Sequence, residues 1–214
     1  MHYLFKDLYF PPVEEAHESG ILAVGGDLSI ERLLLAYSKG IFPWYSEGEP
    51  ITWYAPDYRM VLPINSYKTK KSLRNILNRK IFTCTINQSF VEVMKNCKDV
   101  FRKDQDGTWI SDEIIDAYTQ LYQKGYALSV EVWQDGILVG GLYGVCVGKV
   151  FCGESMFSKV SNASKVGFDF LVKYLVEKDF KLIDGQVYND YLEQLGFFEI
   201  SRENFMKVFN VLKV

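Results

Sequence analysis

Two alternating, β-branched runs, 127–133 and 137–147, are separated only by Gln134-Asp135-Gly136, and no other feature restricts the fold of this chain as tightly. Period-two alternation gives each run one apolar face, and a short Asp-Gly connection folds the two back as an antiparallel hairpin. The run 149–154 follows the Gly148 turn and is expected to pair next. Phe168, Leu171, Val172 and Leu175 then hold the spacing of an amphipathic helix, which predicts burial of one helix face on that meander. A strand over 180–187, a short helix through Leu195 and a strand over 197–201 complete the pattern.

Upstream, the chain is punctuated by turns. Phe10-Pro11-Pro12, Gly20 and Gly25-Gly26-Asp27 lead to Ser29, placed as the N-cap of a helix over 30–39 that Gly40 ends. Ile41-Phe42-Pro43-Trp44-Tyr45 and Trp53-Tyr54 form an aromatic region held by proline, readable either as packing or as a wall for stacked bases. Pro63 with Asn65-Ser66 divides the chain into a small N-terminal domain, 1–62, and a larger one, 63–214. Helices are expected over 68–79, through Phe90, Val93, Met94 and Cys97, and from after Ser111 to Gly125. Between the last two, Asp106-Gly107-Thr108-Trp109 reads as a tight turn presenting an indole. Helices, an antiparallel meander, then helix, strand, helix, strand is the outline of an α/β (α+β) fold of the N-acetyltransferase-like (GNAT-like) kind: a mixed, largely antiparallel sheet flanked by helices.

With 48% hydrophobic and 15% aromatic residues in 214, the chain can fill a real core. Lys6 and Asp7 interrupt any signal-peptide core, and no uncharged run approaches the roughly 20 residues of a bilayer span, so a cytoplasmic protein is expected. Cys84, Cys97, Cys146 and Cys152 lack the paired short spacings of zinc or dithiol sites, and both histidines, His2 and His17, lie near the start; no metal is expected. The net charge is −3, yet 58–91 holds no acid and carries Arg59, Lys68, Lys70, Lys71, Arg74, Arg79 and Lys80. Such a stretch is either a solvated helix surface or a face for phosphates.

The chemistry concentrates at two places. Glu154 stands alone among apolar neighbours where a strand-like run gives way to a polar segment, and Asp184 with Gln186 emerges from a second apolar run. Isolated carboxylates in apolar surroundings are costly unless a cation or hydrogen-bond donor meets them. They are either strand-end ion pairs, with Lys165 or Arg202 as partners, or two acids facing one pocket. An N-acetyltransferase would cradle the pyrophosphate of its coenzyme in a glycine-rich loop, but 155–165 contains no glycine. Acyl transfer is suggested without the usual acyl carrier.

Gly20-Ile21-Leu22-Ala23-Val24-Gly25-Gly26-Asp27-Leu28-Ser29, Ala36-Tyr37, Gly40-Ile41-Phe42-Pro43-Trp44, Gly153 to Ser158 with Ala163-Ser164-Lys165, and Ile183-Asp184-Gly185-Gln186 together resemble the leucyl/phenylalanyl-tRNA–protein transferases over nearly the whole chain and in the family's order. The resemblance implies an aminoacyltransferase that moves leucine or phenylalanine, and methionine less well, from aminoacyl-tRNA to proteins beginning with lysine or arginine, marking them for degradation. It implies no cofactor, because the aminoacyl ester is already activated and the enzyme has only to position reactants and stabilise the oxyanion. Asp184, Gln186 and Glu154 match the family's catalytic residues. In the family account Gln186, polarised by Asp184, is the base; an amide oxygen is too weakly basic for that near pH 7, so Gln186 is expected to orient the attacking amine, and Glu154 to pair with an ammonium group. Leu142, Phe151, Met156 and Ile183 are the candidates for an apolar slot, Met156 lending it adaptability. Trp44 and Trp109 are expected to stack the terminal adenosine, and Lys70, Lys71 and Arg74 to hold acceptor-stem phosphates. A monomer is the default expectation.

Overall fold

The computed structural model of this protein describes residues 2–100 and 109–214; of the turn expected at Asp106-Gly107-Thr108-Trp109, only Trp109 lies inside that range. In chain order the elements are β1 (His2–Leu4), β2 (Ile21–Gly25), α1 (Ile30–Ser38), β3 (Phe42–Pro43), β4 (Thr52–Tyr54), β5 (Tyr58–Pro63), α2 (Lys71–Asn78), β6 (Thr83–Ile86), α3 (Phe90–Asp99), α4 (Asp112–Gln123), β7 (Ala127–Gln134), β8 (Ile137–Val147), β9 (Val150–Ser158), α5 (Ala163–Glu177), β10 (Leu182–Gln186), α6 (Asp190–Leu195), β11 (Phe198–Ser201) and α7 (Arg202–Leu212). The β7–β8 turn has Asp135 at φ 52° and Gly136 at φ 76°. Positive φ at both central residues is the two-residue turn whose twist matches that of paired strands, and the Asp-Gly pair tolerates it.

Seven strands form one sheet in the order β11-β5-β10-β9-β8-β7-β6. All neighbours are antiparallel except β9 and β10, which run parallel because α5 crosses between them. A smaller sheet, β1-β2-β4-β3, is built from the N-terminal segment. The 62/63 division falls at the end of β5, whose two neighbours, β10 and β11, come from the C-terminal half.

Alternation along β8 sends Leu142 to one face and Tyr143 to the other. On the first face Phe168, Leu171, Val172 and Leu175 of α5 close over Leu128, Val130, Leu142, Phe151 and Ile183. On the second, Phe90, Val93, Met94 and Cys97 of α3 and Tyr118 and Leu121 of α4 join Tyr143, Val145 and Phe157. Burying both faces yields a mixed sheet with helices on each side, as the element order requires. Ser29 and Ser111 cap α1 and α4, accepting from Arg32 N at 3.4 Å and Ile114 N at 3.2 Å. Among the described residues no helix is long and apolar enough to cross a membrane, and no cluster of three or more His, Cys, Asp or Glu could hold a metal ion.

One boundary differs from the sequence reading in a way that matters for the site. β9 continues to Ser158, so Glu154 lies within a strand and not at its end. The polar run Gly153-Glu154-Ser155 disguises this because its residues border a cavity instead of bulk water.

Candidate active site

Pairing between the parallel strands β9 and β10 stops at Cys152 and Asp184. Just beyond that point each strand carries a bulge. On β9, Gly153 and Ser155 oppose the consecutive residues Gly144 and Tyr143, leaving Glu154 as the extra residue. On β10, Asp184 and Gln186 oppose Val61 and Met60, leaving Gly185 as the extra one. A bulge bends its strand and re-aims the side chains around it. Gly144 makes the first of these possible: a Cβ there would lie 2.2 Å from Cys152 O.

The gap between the bulged strands is a cavity of about 300 Å³. Glu154, Asp184 and Gln186 line it, as do all four slot candidates, Leu142, Phe151, Met156 and Ile183, and both indoles, Trp44 and Trp109. Trp44 is 37% exposed and tilted against Tyr54, with ring centroids 5.4 Å apart. Lys70, Lys71 and Arg74 do not line this cavity. Lys70 borders a second hollow of about 90 Å³ with Lys68, Lys165 and Tyr191, and Tyr191 also borders the main cavity. Lys71 and Arg74 are exposed on α2, and the segment leading into that helix is tied to buried Asp169 of α5: Thr69 Oγ1 donates to it at 2.5 Å and Tyr67 Oη at 3.2 Å.

The partner of Asp184 is Arg59, 3% exposed and turned away from the basic surface in which the sequence places it. Its Nε donates to Asp184 Oδ1 at 2.8 Å and its Nη2 to Oδ2 at 2.7 Å, while Nη1 donates to Gly40 O at 3.0 Å. The guanidinium also lies between the rings of Phe42 and Phe205, 4.8 and 4.6 Å from their centroids. Of the two partners the sequence offers, Arg202 instead pairs with Asp57 at 2.9 Å, and Lys165 has its place at the second hollow. Asp184 Oδ1 further accepts from Gln186 backbone N at 2.9 Å. This contact pins the turn that leaves Gln186 at φ 66°, a left-handed conformation costly for a non-glycine residue.

The side-chain amide of Gln186 points elsewhere, donating through Nε2 to Glu154 Oε1 at 2.9 Å. The same oxygen accepts from Tyr37 Oη at 2.7 Å, and Tyr118 Oη is 3.5 Å from Oε2. The two tyrosines meet at 2.5 Å; with the Tyr37 proton directed at Glu154, this contact takes the Tyr118 proton. Burial pushes the Glu154 carboxyl up to about 8, aided by the negative charge of Asp184 and opposed by the hydrogen bonds of Tyr37 and Gln186 and by the charge of Arg59. Burial likewise raises both phenols well above the ordinary range, so they remain donors.

Arg59, Tyr37 and Tyr118 are the site residues that sequence reasoning misses. Arg59 has a signal, a lone cation beside the apolar run Met60-Val61-Leu62, but its acid lies 125 positions away. Tyr118 sits at a core position of a helical pattern and carries no signal of its own.

In fold the chain is similar to FemX, with a TM-score of 0.52 at 12% identity over 85% of this chain and 71% of that one, a likeness of α/β architecture alone. Sequence comparison is far more specific. Residues 61–210 match the family model described as leucyl/phenylalanyl-tRNA protein transferase, and residues 26–57 match its N-terminal domain. A leucyl/phenylalanyl-tRNA–protein transferase of Flavobacterium johnsoniae is 61% identical over 208 residues, 97% of this chain and 98% of that protein. One from Flavobacterium psychrophilum is 53% identical over 97% and 98%. The chain belongs to the leucyl/phenylalanyl-tRNA–protein transferase family.

Proposed function

We propose that this protein transfers leucine or phenylalanine, and methionine less well, from aminoacyl-tRNA to the N-terminus of proteins that begin with lysine or arginine, within a GNAT-like catalytic fold. The observation that carries this reading is a single cavity of about 300 Å³ that combines Leu142, Phe151, Met156 and Ile183 with Glu154, Asp184 and Gln186 and is flanked by Trp44 and Trp109. An apolar wall discriminates by only about 1–3 kcal/mol per methylene, which suits a class of large apolar side chains.

In this mechanism the aminoacyl side chain fills the apolar end of the cavity, and the terminal adenosine stacks on Trp44 and Trp109. Lys70, Lys71 and Arg74 meet the acceptor-stem phosphates. The acceptor's α-amine attacks the ester carbonyl, forming the amide as the ribose oxygen leaves. With its NH₂ committed to Glu154, Gln186 offers its amide oxygen to an amine N–H and so orients the nucleophile. Asp184 accepts two bonds from Arg59 and one from the Gln186 backbone, and its role is to hold Gln186 in place. The activated ester makes the reaction favourable without a coenzyme. The product would be a cytoplasmic substrate for N-terminal-residue-dependent degradation, and the enzyme would act as a monomer.

Purified protein incubated with tRNA carrying labelled leucine and a peptide beginning with arginine tests the reading. Label is expected in the peptide. Label remaining on the tRNA, or released only as free leucine, overturns it.

A further inference from the structure

Three features stand outside the roles assigned so far: the lysine-lined second hollow, the buried Asp169 cluster beneath α2, and the pair Tyr37–Tyr118 behind Glu154. The first two lie beside surfaces already assigned to tRNA. The third reaches into the chemical step.

We propose that Glu154 is the general base of the transfer reaction and that Tyr37 and Tyr118 are positioning residues that hold it in its reactive form. The inference rests on the aminoacyl-transfer reading given above. Amide formation must remove a proton from the attacking nitrogen, and Gln186 cannot take it, because its amide nitrogen is a donor and its amide oxygen is scarcely basic. Asp184 is withdrawn from solvent, 0% exposed, with Arg59 holding both of its oxygens and the Gln186 backbone adding a third bond, so it is not the group that meets the amine. Glu154 remains. Oε1 is fixed by Tyr37 at 2.7 Å and Gln186 at 2.9 Å, whereas Oε2 has the long 3.5 Å contact with Tyr118, so Oε2 is the oxygen with accepting capacity to spare. An amine held by the Gln186 amide oxygen is a neighbour of that carboxylate.

The step balances without any further reactant. The nitrogen–carbonyl bond forms, one amine proton passes to Glu154, and the ester carbon–oxygen bond breaks. The proton then passes to the departing ribose oxygen and Glu154 is regenerated.

The surroundings tune the group for this work. Facing Glu154 are Tyr37 on α1, Tyr118 on α4, Asp184 and Gln186 on β10, Arg59 on β5 and Cys152 on β9; burial and Glu154 itself keep the Tyr37 and Tyr118 phenols neutral, and burial does the same for the Cys152 thiol. A glutamate at its ordinary 4.5 would take a proton from an α-ammonium near 7.7–8 only about once in 10³–10⁴ encounters. At about 8, Glu154 is matched to an α-amine. Tyr37 works against the burial that creates this match, and Tyr118 supports Tyr37 by donating its proton to the Tyr37 oxygen. Tyr37's hydrogen bond stabilises the carboxylate and keeps enough of it present near neutral pH.

Single-turnover transfer from leucyl-tRNA to an arginine-starting peptide, measured from pH 6 to 9, tests the proposal. The acceptor amine titrates in every variant and so cancels in comparison. Glu154→Gln should slow transfer by at least 100-fold and remove one ionisation from the acidic limb. Tyr37→Phe should move that limb upward by about one pH unit, and Tyr118→Phe should move it in the same direction by less. Thermal melts at pH 6 establish that each variant is folded; should one of the tyrosine variants fail to fold, the other still reads the shift. A Glu154→Gln enzyme that keeps the wild-type limb, or folded tyrosine variants that lower the rate equally at every pH without moving it, would overturn the proposal. Absence of transfer by the wild-type protein at every pH would instead remove the functional reading on which it rests.

Discussion

Arg59 and Asp184 form a two-bond ion pair, 2.8 and 2.7 Å, in which both side chains are withdrawn from solvent although the residues stand 125 positions apart. It ties β5 to β10 behind the cavity and, through Asp184, sets the turn that presents Gln186. A buried pair of this kind contributes little net stability relative to apolar residues, yet breaking it leaves an uncompensated charge. Arg59→Met is therefore expected to destabilise the fold by about 3–5 kcal/mol. The double variant Arg59→Met with Asp184→Leu should recover at least half of that loss while remaining inactive. Urea unfolding of the three proteins checks the prediction, and a double variant as unstable as the single one contradicts it.

Removing the Gln186 amide should separate chemistry from binding. Gln186→Ala and Asp184→Ala are expected to lower turnover by about 100-fold, the cost of a nucleophile misplaced by roughly 1 Å, with tRNA affinity kept. Single-turnover rates beside a filter-binding titration make the distinction. Losses confined to tRNA affinity would assign these residues to the nucleic acid.

Met156 bears on side-chain selection. Truncation to alanine enlarges the slot and withdraws contacts that a leucyl group needs more than a phenylalanyl ring does. Leucyl transfer is expected to fall by about 10- to 200-fold and phenylalanyl transfer by less. Competition between the two aminoacyl-tRNAs reads the ratio, and an unchanged ratio would place Met156 outside the slot.

Lys71 and Arg74 are exposed on α2 and carry no part of the cavity wall. Alanine at either should weaken tRNA binding uniformly and reduce the slope of log affinity against log salt by about 0.7–0.9. A loss that is constant across salt concentrations would argue for a structural effect.

Local chemistry made much of this fold legible and distant chemistry hid the rest. Asp135-Gly136 announces its hairpin and Ser29 and Ser111 announce their helices, because in each case the cause lies within a few residues of the effect. Phe205 and Phe209 of α7 carry helical spacing but sit in a segment with little else to mark it, and the four-residue β6 is too short to show a period. Two apolar runs meeting acids allow either strand-end ion pairs or a shared pocket for Glu154, Asp184 and Gln186, and it is the resemblance to a family that singles out the pocket and its slot candidates. Neither reveals the means of gathering. A bulge depends on the register of a partner strand, so nothing in Gly153-Glu154-Ser155 reveals that Glu154 is the unpaired residue. Arg59 is hidden for the same reason: in one dimension it belongs with Lys68 and Lys70, and only the sheet order brings it against Asp184.

The raised carboxyl of Glu154 has a consequence for stability whose sign is opposite to that of most acidic residues. Its folded value of about 8 lies above the ordinary 4.5, so the folded chain holds this proton more tightly than the unfolded chain does. The stability linked to it is fully present below about pH 4.5 and is lost as pH rises through about 8. Glutamine mimics the protonated form at every pH. Glu154→Gln and the wild-type protein should therefore be equally stable near pH 4.5, and the variant should become the more stable by about 2–4 kcal/mol at pH 8.5, allowing for the side chain's partial exposure. Denaturant midpoints at the two pH values decide it. A variant less stable than the wild type at pH 8.5 would mean that the hydrogen bonds from Tyr37 and Gln186 outweigh the cost of burying the charge. A variant more stable there, yet inactive, would show that the fold carries a buried carboxylate because the reaction needs one.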